Sequence, residues 1–440
     1  MDRLAMFGGS RTVVLDDADR DRLAWPIVTD AERGAVGRVL DGGGFTSVGR
    51  GAAEVESLER EWAEFTGAEH CAAVSSGTAA LELALAAADL PPGAEVVVPA
   101  LSFVATASAP AQRLLVPVFA DIDPVTYTLD PAAVAAAITP RTAAIVAVHL
   151  HGLPCDMAAL RALADRHGLF LLEDAAQAHG ATWAGRNVGT LGDAAAFSLN
   201  ASKNLPTCGE GGLVTTGDPV LNERLGRLRQ FGERPAGGGP RRYISEEIAG
   251  NAKLAAVQAA FARCQLARFA ERRAARAAQV AALLDRLAAL PGLVVPECPP
   301  DRTHAWHMLR LRIDPAAAGH AGLDAGALRA ILQRALRAEG VPVQPYQSLP
   351  LPGQPALRDH AAPGGYPWRL PGVSQRPYRA EDHPVTVALI DRSFTLQRWH
   401  LNPAAGPVLR RCADAFEKVW HHLDRLATVA ALRRTVEVAR

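Results

Sequence analysis

Between residues 70 and 216 the chain alternates short apolar runs with alanine-rich stretches. No other feature limits its possible folds as strongly. The runs fall at 71–74, 95–98, 116–120, 144–149, 170–173, 194–198 and 212–215. Each is bounded by Gly, Pro, Ser or Asp, the punctuation of strands. Helical stretches at 79–88, 131–137 and 157–167 separate several of them. Strands apolar along their whole length need cover on both faces, and strand–helix alternation supplies it in a mainly parallel sheet. Ligands bind such sheets beyond the carboxyl ends of the strands.

The rest of the chain suggests a second unit. Residues 233–242 contain Pro-Ala-Gly-Gly-Gly-Pro and read as a loop, followed by a long helical pattern from 251 to about 290. A proline-rich junction at 291–301 leads to a strand at 307–313, a helix at 325–339, a Pro/Gly-rich loop at 349–378 and helices from 406 to about 438. The loop at 349–378 reads as either a lid or variable surface. The expectation is a large α/β domain, 1–275 with the N-terminal segment, and a smaller α+β domain, 276–440.

Composition narrows the function. Lys plus Arg equals Asp plus Glu at 46 each, so overall charge does not announce a nucleic-acid groove. No apolar run approaches the roughly 20 residues that span a bilayer. The first thirty residues carry Asp and Arg and no signal-peptide core, which favours a soluble cytoplasmic protein. The six cysteines form no CxxC pair and no His/Cys cluster at zinc spacing, so no metal is expected. Lysine is scarce, with only Lys203, Lys253 and Lys418. Arginine is always protonated, whereas a lysine amine can lose its proton and attack a carbonyl. Lys418, in the last helical stretch, is expected to be solvated.

Three clusters sit at strand ends. Ser75-Ser76-Gly77-Thr78 opens a helix, either as an ordinary N-cap or as a phosphate cradle. Glu173-Asp174 ends a buried strand, where Asp174 either caps the next turn or faces a cationic ring nitrogen. Lys203 follows another strand and precedes Gly209-Glu210-Gly211-Gly212. Alone it reads as surface or as site. Together, a phosphate cradle, an acid for a pyridinium and a lysine for an aldehyde make the set that pyridoxal phosphate requires.

These residues resemble the DegT/StrS family of pyridoxal-phosphate aminotransferases acting on keto-sugars and keto-cyclitols. The resemblance rests on Ser76-Gly77-Thr78-Ala79-Ala80-Leu81, the stretch from Val97-Val98-Pro99 to Ala105-Thr106, Asp121-Ile122-Asp123-Pro124, Glu173-Asp174-Ala175-Ala176-Gln177-Ala178-His179-Gly180, and Phe197-Ser198 through Ser202-Lys203-Asn204 to Gly209-Glu210-Gly211-Gly212. It implies the seven-stranded fold of the aspartate-aminotransferase type. It also implies that Lys203 forms the Schiff base, Asp174 pairs with the pyridinium, Gln177 contacts the ring hydroxyl and Phe103 stacks on the ring. Ser76, Gly77, Thr78 and Ser198 match the phosphate site. Asn251 matches an Asn that reaches the phosphate of the neighbouring subunit, implying a homodimer with shared active sites. Lys253 stands where the family usually has Arg.

The resemblance implies an amino donor, Glu or Gln, and a keto-cyclitol or keto-sugar acceptor in secondary metabolism such as antibiotic biosynthesis. No nucleic-acid or membrane partner is expected. Elimination or oxidation on the same cofactor, or a non-catalytic cofactor-binding sensor, are the alternatives. His304, Trp306, His307 and Tyr346 read as either contacts to substrate hydroxyls or core packing.

Overall fold

The computed structural model describes residues 3–234, 243–375 and 377–438, with side chains as far as Leu432. Of the expected loop at 233–242, only Glu233 and Arg234 lie among them.

All seven expected strands form one sheet. They are β1 (His70–Val74), β2 (Glu95–Pro99), β3 (Val116–Ala120), β4 (Thr142–Val148), β5 (Phe170–Asp174), β6 (Ala194–Ser198) and β7 (Gly212–Thr216), in the order β1-β7-β6-β5-β4-β2-β3. Only β7 runs against its neighbours. β2, β6 and β7 are buried at every residue, which is why they read as unbroken apolar runs. The covering helices begin where polar caps permit. Ser76 Oγ accepts from Ala79 N at 3.0 Å to start Gly77–Ala87, and Asp156 accepts from Ala159 N at 3.1 Å to start Met157–His167.

A second sheet of four antiparallel strands follows: β8 (Leu293–Val294), β9 (Leu309–Ile313), β10 (Val343–Gln344) and β11 (Ser393–Leu396), ordered β8-β9-β11-β10. The helices Ala325–Ala338, Gly406–His421 and Leu423–Val438 complete its core with Ile331, Leu409, Phe416 and Leu426. The long helical pattern after residue 251 is two helices, Ala256–Ala267 and Phe269–Ala288, broken at Arg268. No Gly or Pro marks that break. It is fixed from outside, where Arg268 pairs with Glu32 and Gln265 Nε2 donates to the same carboxylate at 2.6 Å. The second helix gives Phe269 to the large core and Val280, Leu283 and Leu287 to the small one.

Two segments depart from the sequence reading. Among the described residues of the stretch at 349–378, none lines the cavity at the strand ends. Leu351, Leu357, Trp368 and Val373 pack on the large core, Leu351 N donates to Ala100 O at 2.8 Å, and Tyr378 donates to Pro117 O of edge strand β3. The segment therefore covers a sheet edge that would otherwise offer itself for pairing.

Lys418 is not a solvated surface residue. Its Nζ donates to Glu339 Oε2 at 2.9 Å and to Ser10 O at 2.8 Å. The buried Glu339 carboxylate also accepts from Ala5 N at 2.7 Å, Thr12 N at 3.1 Å and Thr12 Oγ1 at 2.9 Å. With Leu4 and Val13 in the small core, this carboxylate ties the N-terminal strap down.

Burial raises the Glu339 carboxyl, but the Ala5 N–H, Lys418 and Thr12 outweigh it and hold the group below its ordinary value. A depressed carboxyl stabilises the fold above its unfolded pKa, near 4.3, and loses that contribution as pH falls through the folded value. Glu339→Ala should cost about 3 kcal/mol in urea unfolding at pH 7, with the difference from wild type shrinking below about pH 4.3. Trypsin cleavage after Arg11 should accelerate in the same variant.

Candidate active site

Strand register brings the expected site residues to one edge of the large sheet. Val74, Gly212 and Ser198 stand side by side across β1, β7 and β6, while Asp174 ends β5 beside Val148. A cavity of about 540 Å³ opens there. Ser76, Gly77, Thr78, Phe103, Asp174, Gln177, Ser198 and Lys203 all line it, as do His307, Tyr346 and Arg398.

The adjacent acids of β5 point to opposite faces, as alternation along a strand requires. Asp174 faces the cavity. Its Oδ2 accepts from Thr106 Oγ1 at 2.8 Å and Oδ1 from Ala176 N at 3.2 Å. Burial raises its carboxyl above the ordinary range, and the two donors offset that only in part. Ser102 Oγ lies 2.7 Å behind Thr106 Oγ1, so the chain supports Asp174 with hydroxyls and leaves it short of a cation.

Glu173 belongs to the interior instead. Its carboxylate accepts from Gly189 N at 2.9 Å, Leu191 N and Gly192 N at 2.8 Å, and His149 Nε2 at 2.9 Å. Burial raises the Glu173 carboxyl, but these donors win and hold it below its ordinary value. His149 Nδ1 accepts from Cys155 N at 3.1 Å, which leaves Nε2 to donate to Glu173.

Lys203 sits in the stitched loop between β6 and β7, where Leu199 N donates to Gly211 O at 2.7 Å and Ala201 N to Gly209 O at 2.9 Å. Asn200 Oδ1 accepts from Ser202 N at 2.9 Å, and Trp25 Nε1 donates to Lys203 O at 3.0 Å. Burial lowers the Lys203 amine to about 8, with Asp174 pulling the other way and Arg398 adding to the fall.

The third part is a close backbone approach. A Cβ on Gly77 would lie 2.6 Å from Ser198 Cβ, and one on Gly212 would lie 2.3 Å from Ser76 O. Glycine at both positions lets the helix N-terminus of Gly77–Ala87 meet Ser198. Ser76 caps Ala79 N, so the Gly77 and Thr78 N–H groups remain for an anion.

Other expectations divide. His304 and Trp306 stack on each other with centroids 3.9 Å apart, and Trp306 N donates to His304 Nδ1 at 2.8 Å, so this pair is packing. His307 and Tyr346 reach the cavity. Asn251 is exposed and does not line its own chain's cavity, though Ser75 N donating to Ala252 O at 2.7 Å holds its segment beside β1. Lys253 Nζ lies 4.2 Å from the Phe231 ring centroid. Sequence reasoning missed Thr106, Ser102, Asn200 and Arg398. Thr106 lies inside a quoted motif, but nothing near Arg398 signals a site before the chain folds.

An anion-binding helix start, a cation-seeking carboxylate and an amine of reduced basicity around one cavity are what a pyridoxal-phosphate enzyme needs, and the cradle that a Cβ would fill fits the phosphate. The family is the DegT/DnrJ/EryC1/StrS aminotransferases, and the chain belongs to it, with the family model matching residues 26–368. The chain is therefore a pyridoxal-phosphate-dependent aminotransferase with sugar and cyclitol aminotransferases among its relatives. It is 40% identical over 337 residues to dTDP-3-amino-3,4,6-trideoxy-alpha-D-glucose transaminase of Streptomyces venezuelae, covering 77% of this chain and 82% of that one. It is 42% identical over 348 residues to L-glutamine:2-deoxy-scyllo-inosose aminotransferase of Streptomyces lividus, covering 76% and 78%. The structure of NtdA from Bacillus subtilis with bound cofactor PMP superposes with a TM-score of 0.75 at 26% identity, covering 91% of this chain and 84% of that one.

The lowered Lys203 amine has a direct readout. In cofactor-free protein, competitive acetylation followed by mass spectrometry should show Lys203 reaching half its full reactivity near pH 8. An ordinary lysine does so near 10.4, and a midpoint there would contradict the electrostatics described.

Proposed function

We propose that this chain moves an amino group from glutamate or glutamine to the ketone of a keto-cyclitol or keto-sugar, with Lys203 as the reacting amine. The observation that carries this reading is the meeting of Asp174 and low-basicity Lys203 in one cavity, beside a phosphate cradle built on Gly77 and Ser198. The names of the relatives support glutamine as donor and both acceptor classes.

Bound pyridoxal phosphate supplies an aldehyde carbon that captures amines and a ring that withdraws electrons. The protein's part is to bind and to move protons. Gly77 N, Thr78 and Ser198 would hold the phosphate, and Phe103, which lines the same cavity, would pack on the ring. Gln177, whose Oε1 accepts from His151 N at 2.7 Å, would offer its amide to the ring hydroxyl. Asp174 would accept a hydrogen bond from the protonated ring nitrogen and so hold that nitrogen cationic. Lys203 takes the proton from the donor Cα at Nζ and later returns it on the acceptor side. An amine near pKa 8 is partly neutral at physiological pH, as this work requires.

Asn251 serves the phosphate of a second subunit, so the working unit is a homodimer with shared sites. The cofactor domain is taken as residues 1–275 and the small domain as 276–440, with two exchanges: Leu4 and Val13 pack in the small core, and Leu351, Leu357, Trp368 and Val373 pack on the large one. Among the described residues no helix is long and apolar enough to cross a membrane, and the reading places the enzyme in the cytoplasm.

Wild-type protein should release 2-oxoglutarate or 2-oxoglutaramate in equal amount with the aminated product from a panel of keto-cyclitols and nucleotide-linked keto-sugars. Lys203→Ala should lose the cofactor's near-visible absorption band and at least about 1,000-fold in turnover. Full turnover in that variant, or no 2-oxo acid with any acceptor, would overturn the assignment.

A further inference from the structure

Arg398 begins the turn Arg398–Leu401, just past the central strand β11 of the small sheet. Its half-buried guanidinium lines the cavity that holds Lys203. It also lines an adjoining cavity of about 550 Å³ with Trp25, Gln344, Gln397 and Trp399.

A cation withdrawn from water ordinarily has a counter-charge. Arg229 pairs with Glu59, Arg263 with Glu54 and Glu61, and Arg411 with Asp19; the buried Arg276 and Arg310 donate to neutral groups instead, Arg276 to Ala305 O and Arg310 to His151, Ser393 and Tyr346 O, and neither lines the cavity. Among the described residues Arg398 has no carboxylate within ion-pair distance.

Its hydrogen-bond partner is an uncharged ring. Asn204 Nδ2 donates to Ala305 O at 2.8 Å, which turns Asn204 Oδ1 toward His307 Nδ1 at 2.9 Å. The imidazole therefore carries its proton on Nδ1 and offers the bare Nε2 to Arg398 Nη1, 3.5 Å away. Burial, with Lys203 and Arg398 nearby, keeps His307 far below its ordinary basicity. His307 thus orients the guanidinium without cancelling its charge. The series starts at Asn204, next to Lys203, so one hydrogen-bonded frame carries both the reacting amine and the cation. The cofactor phosphate is assigned to the Ser76–Thr78 turn and Ser198, which leaves Arg398 for a second anion.

We propose that Arg398 binds the α-carboxylate of the amino donor. This rests on the donor reading above. A guanidinium fork matches a carboxylate in two parallel hydrogen bonds, and lysine does not reproduce that match. A keto-cyclitol has no anionic group and a nucleotide-linked keto-sugar carries its charge on a diphosphate, so a carboxylate on the reacting carbon belongs to the donor alone, and Arg398 distinguishes two substrates that use the same amine in turn.

The test measures binding to the holoenzyme by calorimetry. α-Methyl-L-glutamine keeps the carboxylate but has no α-proton to lose, and 4-aminobutanamide lacks the carboxylate. Arg398→Gln should weaken the first about 30-fold and leave the second within about twofold, with the cofactor band retained. Arg398→Lys keeps the charge without the fork, should weaken the first about fivefold, and carries the same comparison if the glutamine variant loses its cofactor. Unaltered binding of α-methyl-L-glutamine in both variants, or equal loss of both probes, would overturn the assignment while wild type still released 2-oxo acid. A wild type that takes no amino group from glutamine or glutamate would fail the donor reading and this assignment with it.

Discussion

The site depends on burying a carboxylate without giving it a cation. Asp174 ends β5 buried at the sheet edge, held by the Thr106 hydroxyl and one backbone N–H. That support fixes its direction but leaves its charge poorly solvated, so the favourable partner is a cationic ring nitrogen brought from outside. The same burial lowers the Lys203 amine. One burial thus creates both a demand for the cofactor and a nucleophile to hold it. Glu173, one residue earlier, shows the contrast: three backbone N–H groups and His149 satisfy it completely, and it takes no part in the cavity.

Topology turns those local facts into a site. β7 alone runs backward, so its first residue, Gly212, lies at the same edge as the last residues of β1 and β6. The loop carrying Lys203 joins β6 to β7 and is therefore anchored at that edge on both sides. The small domain adds His307 and Arg398, while the segment from Leu351 to Val373 packs on the large core and Tyr378 bonds edge strand β3.

Much of this was legible in the sequence because it is local. Strands buried in the middle of a sheet are apolar along most of their length, whichever way they run, so all seven could be read directly. Ser76, Asp174 and Lys203 stand where those runs end. What escaped is what tertiary contact alone decides. Lys418 looks like a solvated helix lysine until the fold brings Glu339, 79 residues away, and Ser10 O, 408 residues away, to its amine. The break at Arg268 has no Gly or Pro, and only the pairing with Glu32 explains it. Arg398 lies in an unremarkable Gln-Arg-Trp-His stretch, and its isolation from carboxylates becomes visible only in the folded chain.

The scarcity of lysine makes the central claim unusually direct to test, because the chain offers only three ε-amines. Holoenzyme treated with borohydride and digested should carry the phosphopyridoxyl group on the peptide containing Lys203 and on no other. Finding the label on Lys253 or Lys418, or finding Lys203 unmodified while the cofactor is retained, would contradict the account.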